Sequence, residues 1–470
     1  MKIPRHIFRE YDIRGVADRD LSDGLAHALG RAFAHVLRSS SKESVKPLRV
    51  AVARDGRFSS ARLFQALTEG LLSGGVSVVS VGVGPTPMLY FAAFELETDG
   101  AVMITASHNP APDNGFKLMR GKASFFGADI QHLADVIESE AALGGPAPAR
   151  GEFSEKNVEA EYIETVRRSS RLAHTNVKFI VDGGNGAAGP LGVTTLNALG
   201  LTPEALYCDI DGSFPNHHPD PTVPKNLVAL RDRVLETGAT LGVAWDGDGD
   251  RIGAIDETGE IVWGDKLLLL YARSVLKDFP GATVLGEVKC SETLYADIAK
   301  HGGRPLVWKT GHSLIKAKMK EEKAKLAGEM SGHMFFADRW LGFDDAIYAT
   351  VRLVEIIASE GRTLRELLAD VPKTFATPEI RVDCPDEIKF QVVSRVVDHY
   401  RSSRRVLDID GGRVDFGEGA WGLCRASNTQ PVLVLRFEAA TPERLEEIRD
   451  EVEGVVAGAI KVVSNQGSAS

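Results

Sequence analysis

A hydroxyl on a loop, three carboxylates at alternate positions and a basic, hydroxyl-rich turn are the residues of this chain best suited to chemistry. The hydroxyl is Ser107, in Thr105-Ala106-Ser107-His108-Asn109-Pro110, directly after the apolar Ala101, Val102, Met103 and Ile104. A strand that ends at a serine, with a proline to stop regular structure, can display a nucleophile. An ordinary polar turn has the same composition. The carboxylates are Asp246, Asp248 and Asp250 in Asp246-Gly247-Asp248-Gly249-Asp250-Arg251. Glycines between them let the backbone fold their oxygens onto one cation. An EF-hand count also places Asp248, Asp250 and Glu257 on ligand positions, but Arg251 stands where that loop needs glycine, and residues 240–245 and 252–255 read as strands. Three carboxylates without a larger oxygen cage suit Mg2+ when a phosphate oxygen adds a ligand, and Arg251 can pair with that phosphate. A plain Gly/Asp turn is the bland alternative.

Three other segments offer ligand donors. Gly328-Glu329-Met330-Ser331-Gly332-His333 gathers an acceptor, a hydroxyl and an imidazole, the kind of set that holds sugar hydroxyls. Arg425-Ala426-Ser427-Asn428-Thr429-Gln430-Pro431 combines a guanidinium, hydroxyls, an amide and loop N–H groups into a phosphate clamp, unless it is only a hairpin loop. Lys309-Thr310-Gly311-His312 joins a strand to a helix start, where N–H groups favour an anion. The net charge of −10 excludes broad nucleic-acid or anionic-membrane binding, so an anionic ligand needs a local positive site. The turn at Arg425 is that site.

Positioning these residues takes several domains, because 470 residues exceed one ordinary core. Strands at 48–53, 76–81 and 101–104 alternate with helices at 23–37 and 61–72, which implies a mostly parallel sheet with ligands beyond its carboxyl ends. The opening Phe8-Arg9-Glu10-Tyr11-Asp12-Ile13-Arg14-Gly15 reads as a shaped loop, and Gly144-Gly145-Pro146-Ala147-Pro148-Ala149 as a linker. A second unit runs from a strand at 177–181 to the strand before the aspartates. Its Gly184 to Gly189 matches GxGxxG, but the ribose-binding acid would have to be Glu204 or Asp209, neither clearly at a strand end. A tight strand-to-helix turn is the better reading.

A third unit has strands at 283–288 and 305–309 and helices at 292–300 and 313–322. After Pro372 the order changes to a strand at 378–384, a helix at 386–400, a hairpin at 406–416, a strand at 432–437 and a helix at 442–456, an α+β unit with an antiparallel sheet. The divisions fall at 1–153, 154–254, 255–370 and 371–470. Cys208, Cys290, Cys384 and Cys424 are scattered, with no CxxC pair, as reduced thiols in a cytosol would be. With no signal-peptide core and no run of about 18 apolar residues, a cytoplasmic location is expected.

In this order, TASHNP, DGDGDR, GEMSGH and RASNTQP, with FREYDIRG at the start and Asn114-Gly115-Phe116-Lys117 after the serine, resemble the α-D-phosphohexomutase family, most closely its bacterial phosphomannomutase/phosphoglucomutase branch. The resemblance spans nearly the whole chain. It implies three similar α/β domains plus a C-terminal α+β domain around a central cleft, the last a mobile lid hinged near Pro372. It makes Ser107 the phosphoryl carrier and, with Asp246, Asp248 and Asp250, a ligand of Mg2+. Arg14, Lys117 and Arg251 line the reacting end. Glu329, Ser331 and His333 hold sugar hydroxyls, while Arg425, Ser427, Asn428 and Thr429 hold the distal phosphate. Tyr11, Lys289 and His312 are further cleft residues, and His108 shapes the serine loop. The implied reaction moves a phosphoryl group between the 1- and 6-positions of mannose or glucose phosphates, through a hexose 1,6-bisphosphate, with glucose 1,6-bisphosphate as activator and a monomer as the expected state. A phosphoglucosamine mutase, a metal-dependent phosphatase and an inactive sugar-phosphate binder are the alternatives.

Overall fold

The computed structural model describes residues 2–40, 47–139, 149–428 and 430–467. The glycine- and proline-rich linker lies, from 144 to 148, outside the described residues. The first unit carries β1 (Ile13–Val16), β2 (Arg49–Arg54), β3 (Ser77–Val83), β4 (Gly100–Ile104), β5 (Asp113–Arg120), β6 (Ala123–Phe125) and β7 (Phe153–Glu155). They form one sheet in the order β1-β5-β4-β2-β3-β7, with β6 against β5. Only β4, β2, β3 and β7 run parallel; β1, β5 and β6 are antiparallel additions.

The next sheet, β12-β11-β10-β8-β9, holds β8 (Phe179–Asp182), β9 (Glu204–Leu206), β10 (Leu241–Trp245), β11 (Ile252–Asp256) and β12 (Ile261–Val262). The third, β14-β13-β15-β16, holds β13 (Thr283–Glu287), β14 (Arg304–Trp308), β15 (Leu326–Gly328) and β16 (Met334–Phe336). The last contains β17 (Phe375–Ala376), β18 (Ile380–Asp383), β19 (Val406–Leu407), β20 (Gly412–Gly417), β21 (Ala420–Ala426) and β22 (Val432–Ala439). All its pairings are antiparallel, as expected.

The expectation of mostly parallel sheets needs refining where it matters for function. Each chemically equipped loop joins two antiparallel neighbours: β4 to β5 at Ser107, β10 to β11 at the aspartates, β15 to β16 at Glu329, and β21 to β22 at Ser427. A loop anchored in ladder hydrogen bonds at both ends has less freedom than a strand-to-helix turn. The four units therefore present their functional loops in the same way.

The GxGxxG segment does make a tight strand-to-helix turn, between β8 and the helix Gly189–Ala198. Glu204 begins β9 and is held by Arg233. The C-terminal helix extends past the expected 456, over Pro442–Gly467, because Val452, Val456, Ala459 and Val463 recur at helical spacing and pack on the last sheet.

Burial separates the last unit from the others. One continuous apolar core links Met88 and Phe91 of the first unit with Tyr162, Leu191 and Trp245 of the second and Leu268, Trp340 and Tyr348 of the third. The helix Ala346–Glu360 sits inside it, and Trp245 donates its indole N–H to Thr350 Oγ1 at 2.9 Å. The last unit has its own core, built on Val392, Val396, Leu433, Leu435 and Phe437. It meets the third unit through polar contacts such as Arg413 to the carbonyls of Val288 and Cys290, both at 2.7 Å, and a small apolar patch of Val288, Trp421 and Leu423. Among the described residues, no helix is long and apolar enough to cross a membrane.

Candidate active site

Ser107 occupies the left-handed backbone region, with φ of 52°, in a side chain position that is 2% exposed. A non-glycine residue adopts that conformation at an energetic cost, borne where a side chain must point a particular way. Here the hydroxyl donates to Asp246 Oδ2 at 2.6 Å and lies 3.1 Å from His108 Nδ1. Burial and the nearby Arg251 and Arg14 hold the His108 imidazole well below its ordinary pKa, and therefore neutral. His108 thus faces the hydroxyl and also forms part of the loop.

Asp246, Asp248 and Asp250 are fully buried, and one oxygen from each lies within 4.8 Å of the others. The backbone N–H groups of Asp250 and Arg251 donate to Asp246 Oδ1 at 3.0 and 3.1 Å. A Cβ at Gly247 would sit 2.3 Å from the Ser107 carbonyl oxygen, so this glycine is what allows the two loops to touch. Burial, together with the charges of Asp250 and Asp248, pushes the Asp246 carboxyl well above its usual range. Lys117 extends its ammonium from β5 to Asp248 Oδ2 at 2.6 Å and to Asp250 Oδ2. Burial opposes that charge, but Asp248, Asp250 and Asp246 together keep it firmly protonated. Asp248 Oδ1 is buried and has no hydrogen-bond partner among the described residues. Three crowded carboxylates with an unsatisfied oxygen fit a divalent cation well.

The sugar-type loop docks directly on the aspartate loop. Arg251 and His333 form an antiparallel bridge, and the N–H of Ile252 donates to the Gly332 carbonyl at 3.0 Å. A Cβ at Gly332 would lie 2.2 Å from the Ile252 oxygen, at φ of 95°, which requires glycine twice over. Glu329 accepts from the N–H of Gly311 at 2.7 Å and faces His333 Nδ1 at 2.6 Å. Ser331 Oγ is 3.3 Å from the same nitrogen, and His333 Nε2 is 3.2 Å from Asp250 Oδ1. Burial opposes a charge on His333, yet Asp250 and Glu329 push its pKa up to about 9 against the opposing Arg251. His333, expected among the residues that hold sugar hydroxyls, also bridges the sugar-type loop and the aspartates.

Arg14 reaches the serine loop, donating to Asn109 Oδ1 at 2.8 Å and pairing with Asp12 at 2.5 Å. Tyr11 donates to the Thr310 carbonyl at 2.8 Å and stands edge-on to His312, with ring centroids 6.0 Å apart. Burial and neighbouring lysines keep His312 neutral. Asn428 of the last unit donates to Tyr11 Oη at 2.7 Å, and Arg425 is paired with Asp410 at 3.0 Å. Ser427 accepts from the Gln430 N–H at 3.2 Å, and its carbonyl accepts from Lys389 at 2.6 Å. Lys289 reaches across to Glu379 of the last unit at 3.0 Å. Thr429 lies outside the described residues. Three of the four loops thus meet around Ser107 and Asp250, while the Arg425 loop approaches from the far side through Tyr11 and Thr310.

Arg57 is a functional candidate that no sequence motif points to. Its guanidinium donates to the carbonyls of Ser107 and Asn109, both at 2.7 Å, of Pro110 at 2.6 Å and of Asp113 at 3.0 Å, and pairs with Asp55 at 3.1 Å. It is 2% exposed. One planar fork therefore ties down most of the serine loop, a job that the single charge of lysine does poorly. The sequence signal was an Asp-x-Arg at the end of β2, the strand that pairs with β4. Arg57→Gln is expected to lower kcat by about 10- to 100-fold with a smaller change in KM, because a small misplacement of a reacting group costs on this scale. Initial rates, with circular dichroism to verify folding, check this.

Comparison with known proteins supplies a second line of evidence. Family models described as phosphoglucomutase/phosphomannomutase match the chain in four parts: domain I over residues 5–143, domain II over 160–259, domain III over 263–375 and the C-terminal domain over 379–455. A Pseudomonas aeruginosa phosphomannomutase/phosphoglucomutase is 44% identical, the match covering 95% of this chain and 94% of that one. A Neisseria meningitidis phosphoglucomutase is 40% identical over 97% of each. The crystal structure of a phosphoglucomutase/phosphomannomutase family protein from Burkholderia thailandensis superposes with a TM-score of 0.90 at 40% identity, covering 97% of this chain and 98% of that one.

Proposed function

The chain belongs to the phosphoglucomutase/phosphomannomutase family, and from that premise we propose that it interconverts the 1- and 6-phosphates of mannose and glucose through a phosphorylated Ser107. The observation that carries the reading is the Ser107 hydroxyl, held in a left-handed loop 2.6 Å from Asp246. Phospho-Ser107 gives its phosphoryl group to the free hydroxyl of a hexose 1- or 6-phosphate, breaking the serine O–P bond as the sugar O–P bond forms. The resulting 1,6-bisphosphate turns end for end and returns its other phosphoryl group to Ser107. Free Ser107 is inactive until a hexose 1,6-bisphosphate, such as glucose 1,6-bisphosphate, recharges it.

In this reading Asp246, Asp248, Asp250 and the Ser107 oxygen hold Mg2+, which when bound supplies positive charge to the phosphoryl oxygens. Arg251 and Lys117 add charge at the same end, and Arg14 orients the loop through Asn109. Glu329, Ser331 and His333 read sugar hydroxyls, with Tyr11, Lys289 and His312 lining the cleft. Arg425, Ser427, Asn428 and Thr429 take the distal phosphate, Arg425 exchanging its Asp410 partner for that ligand. The expected boundaries at 153 and 254 would cut β7 and β11, so we divide the chain after β7, after β12 and at 370, with the last unit acting as a monomer's own lid. A separate core and polar seams let such a lid open for reorientation and close to keep water from the phosphoserine.

A coupled assay tests this reading. Glucose 1-phosphate with Mg2+ and a trace of glucose 1,6-bisphosphate is expected to yield glucose 6-phosphate; release of inorganic phosphate in its place would mark a phosphatase. Arg425→Ala is expected to raise KM for hexose phosphates by about 10- to 100-fold, the scale of losing charge-assisted hydrogen bonds, with a smaller effect on kcat at saturation.

A further inference from the structure

We propose that Asp250, His333 and Asp344 form a second divalent-cation site beside the aspartate loop, suited to an imidazole-binding ion such as Zn2+. One ligand atom from each of the three lies within 4.8 Å of the others, and all three side chains are buried. His333 Nε2 is 3.2 Å from Asp250 Oδ1 and 3.9 Å from Asp344 Oδ2. Those separations resemble the ligand edges of a tetrahedral ion with bonds of about 2.0 to 2.2 Å.

Asp344 carries the independent observation. It is fully buried just before the helix Ala346–Glu360, and its Oδ1 accepts from Lys316 at 2.9 Å. Its Oδ2 has no hydrogen-bond partner among the described residues, nor has His312 Nδ1, 3.6 Å away. Two buried polar atoms left unpaired on one wall of a cluster are costly unless a ligand joins them. His312 Nδ1 is close enough to Asp344 to offer a fourth ligand or to hold a water in that position.

The surroundings match those of a metal-bound histidine. His333 Nδ1 is engaged by Glu329 at 2.6 Å, which fixes the ring and leaves Nε2 to bind. Asp250 turns Oδ2 to Lys117 and Oδ1 to His333, so its two oxygens can serve two neighbouring ions. Imidazole among the donors favours Zn2+ over Mg2+, which separates this site from the all-carboxylate one. Arg251 Nε, 3.3 Å from His333 Nε2, competes for the same nitrogen and must give way. Occupancy withdraws His333 from the sugar, so Zn2+ inhibits the mutase even at saturating Mg2+. That consequence, unlike the site itself, rests on the function proposed above.

Co2+ is the probe, titrated into the full chain in excess Mg2+ and read by visible absorption instead of activity. The expected result is one equivalent of intensely absorbing four-coordinate Co2+, bleached by Zn2+. The band disappears in Asp344→Asn and in His333→Gln, and survives in Asp246→Asn, each variant first shown to be folded by circular dichroism. Only the weak bands of six-coordinate Co2+ in the wild-type protein would overturn the proposal without recourse to any variant. So would a strong band that persists in folded Asp344→Asn or is lost in folded Asp246→Asn. A failed mutase assay would leave the spectroscopic result unaffected.

Discussion

Ser107→Ala is expected to lower mutase turnover by on the order of 10^4-fold or more, since removing the group that carries the reaction forfeits the whole pathway. Among the described residues, no neighbouring hydroxyl stands in the same place. Thr105 Oγ1 accepts from the Ser107 N–H at 2.9 Å and so faces back into the loop. The His108 imidazole lies within 3.1 Å of the serine oxygen and is neutral, so it offers a ring-nitrogen lone pair beside the Asp246 carboxylate. Initial rates together with intact-mass analysis, before and after incubation with glucose 1,6-bisphosphate, check the expectation. Wild-type protein should gain one phosphate and the variant none. A variant that retains turnover and acquires an acid-labile phosphate would assign the carrier role to His108 instead.

Chelation is expected to abolish activity, with recovery on adding Mg2+, and Asp248→Asn to lower kcat by about 10^2- to 10^3-fold, the scale of losing one preorganised electrostatic partner. Three buried carboxylates crowd together at the place where a phosphoryl group must come, so without a cation that group meets a wall of acidic oxygens. A cation at those oxygens presents it with positive charge. Asp248→Asn also removes one of Lys117's two partners, but Asp250 remains to hold that ammonium, and fewer like charges are crowded together. The melting temperature should therefore change little while turnover collapses. A rate that is insensitive to chelator in exhaustively demetallated protein would show that the aspartates act only on Lys117.

Much of the site was legible because its chemistry is written in short contiguous runs. The aspartate loop stands out by the alternation of Asp246, Asp248 and Asp250 with two glycines, and the turn at Arg425 by its concentration of a guanidinium and hydroxyls in an acidic chain. His333 was legible as a ligand-type residue, yet its position between Glu329 and Asp250 was not, since that depends on how β15–β16 meets β10–β11. Arg57 and Asp344 escaped notice for the same reason. Each is an ordinary residue in its own segment, and its partners lie on other strands or in another unit: the carbonyls around Ser107 for one, His312, His333 and Lys316 for the other.

By itself the sequence determined the alternation of elements, the change to an antiparallel unit after Pro372 and the four loops with their chemical types. These follow from local hydrophobic period, turn residues and donor inventories. Only the tertiary structure decided that each loop is a connection between antiparallel neighbours, that the first three units share one core while the last stands apart, and that Lys117, Arg57 and His333 converge on Ser107 and the aspartates. Such facts depend on register and on packing between distant segments, and a single chain of residue types carries almost no local signal for either.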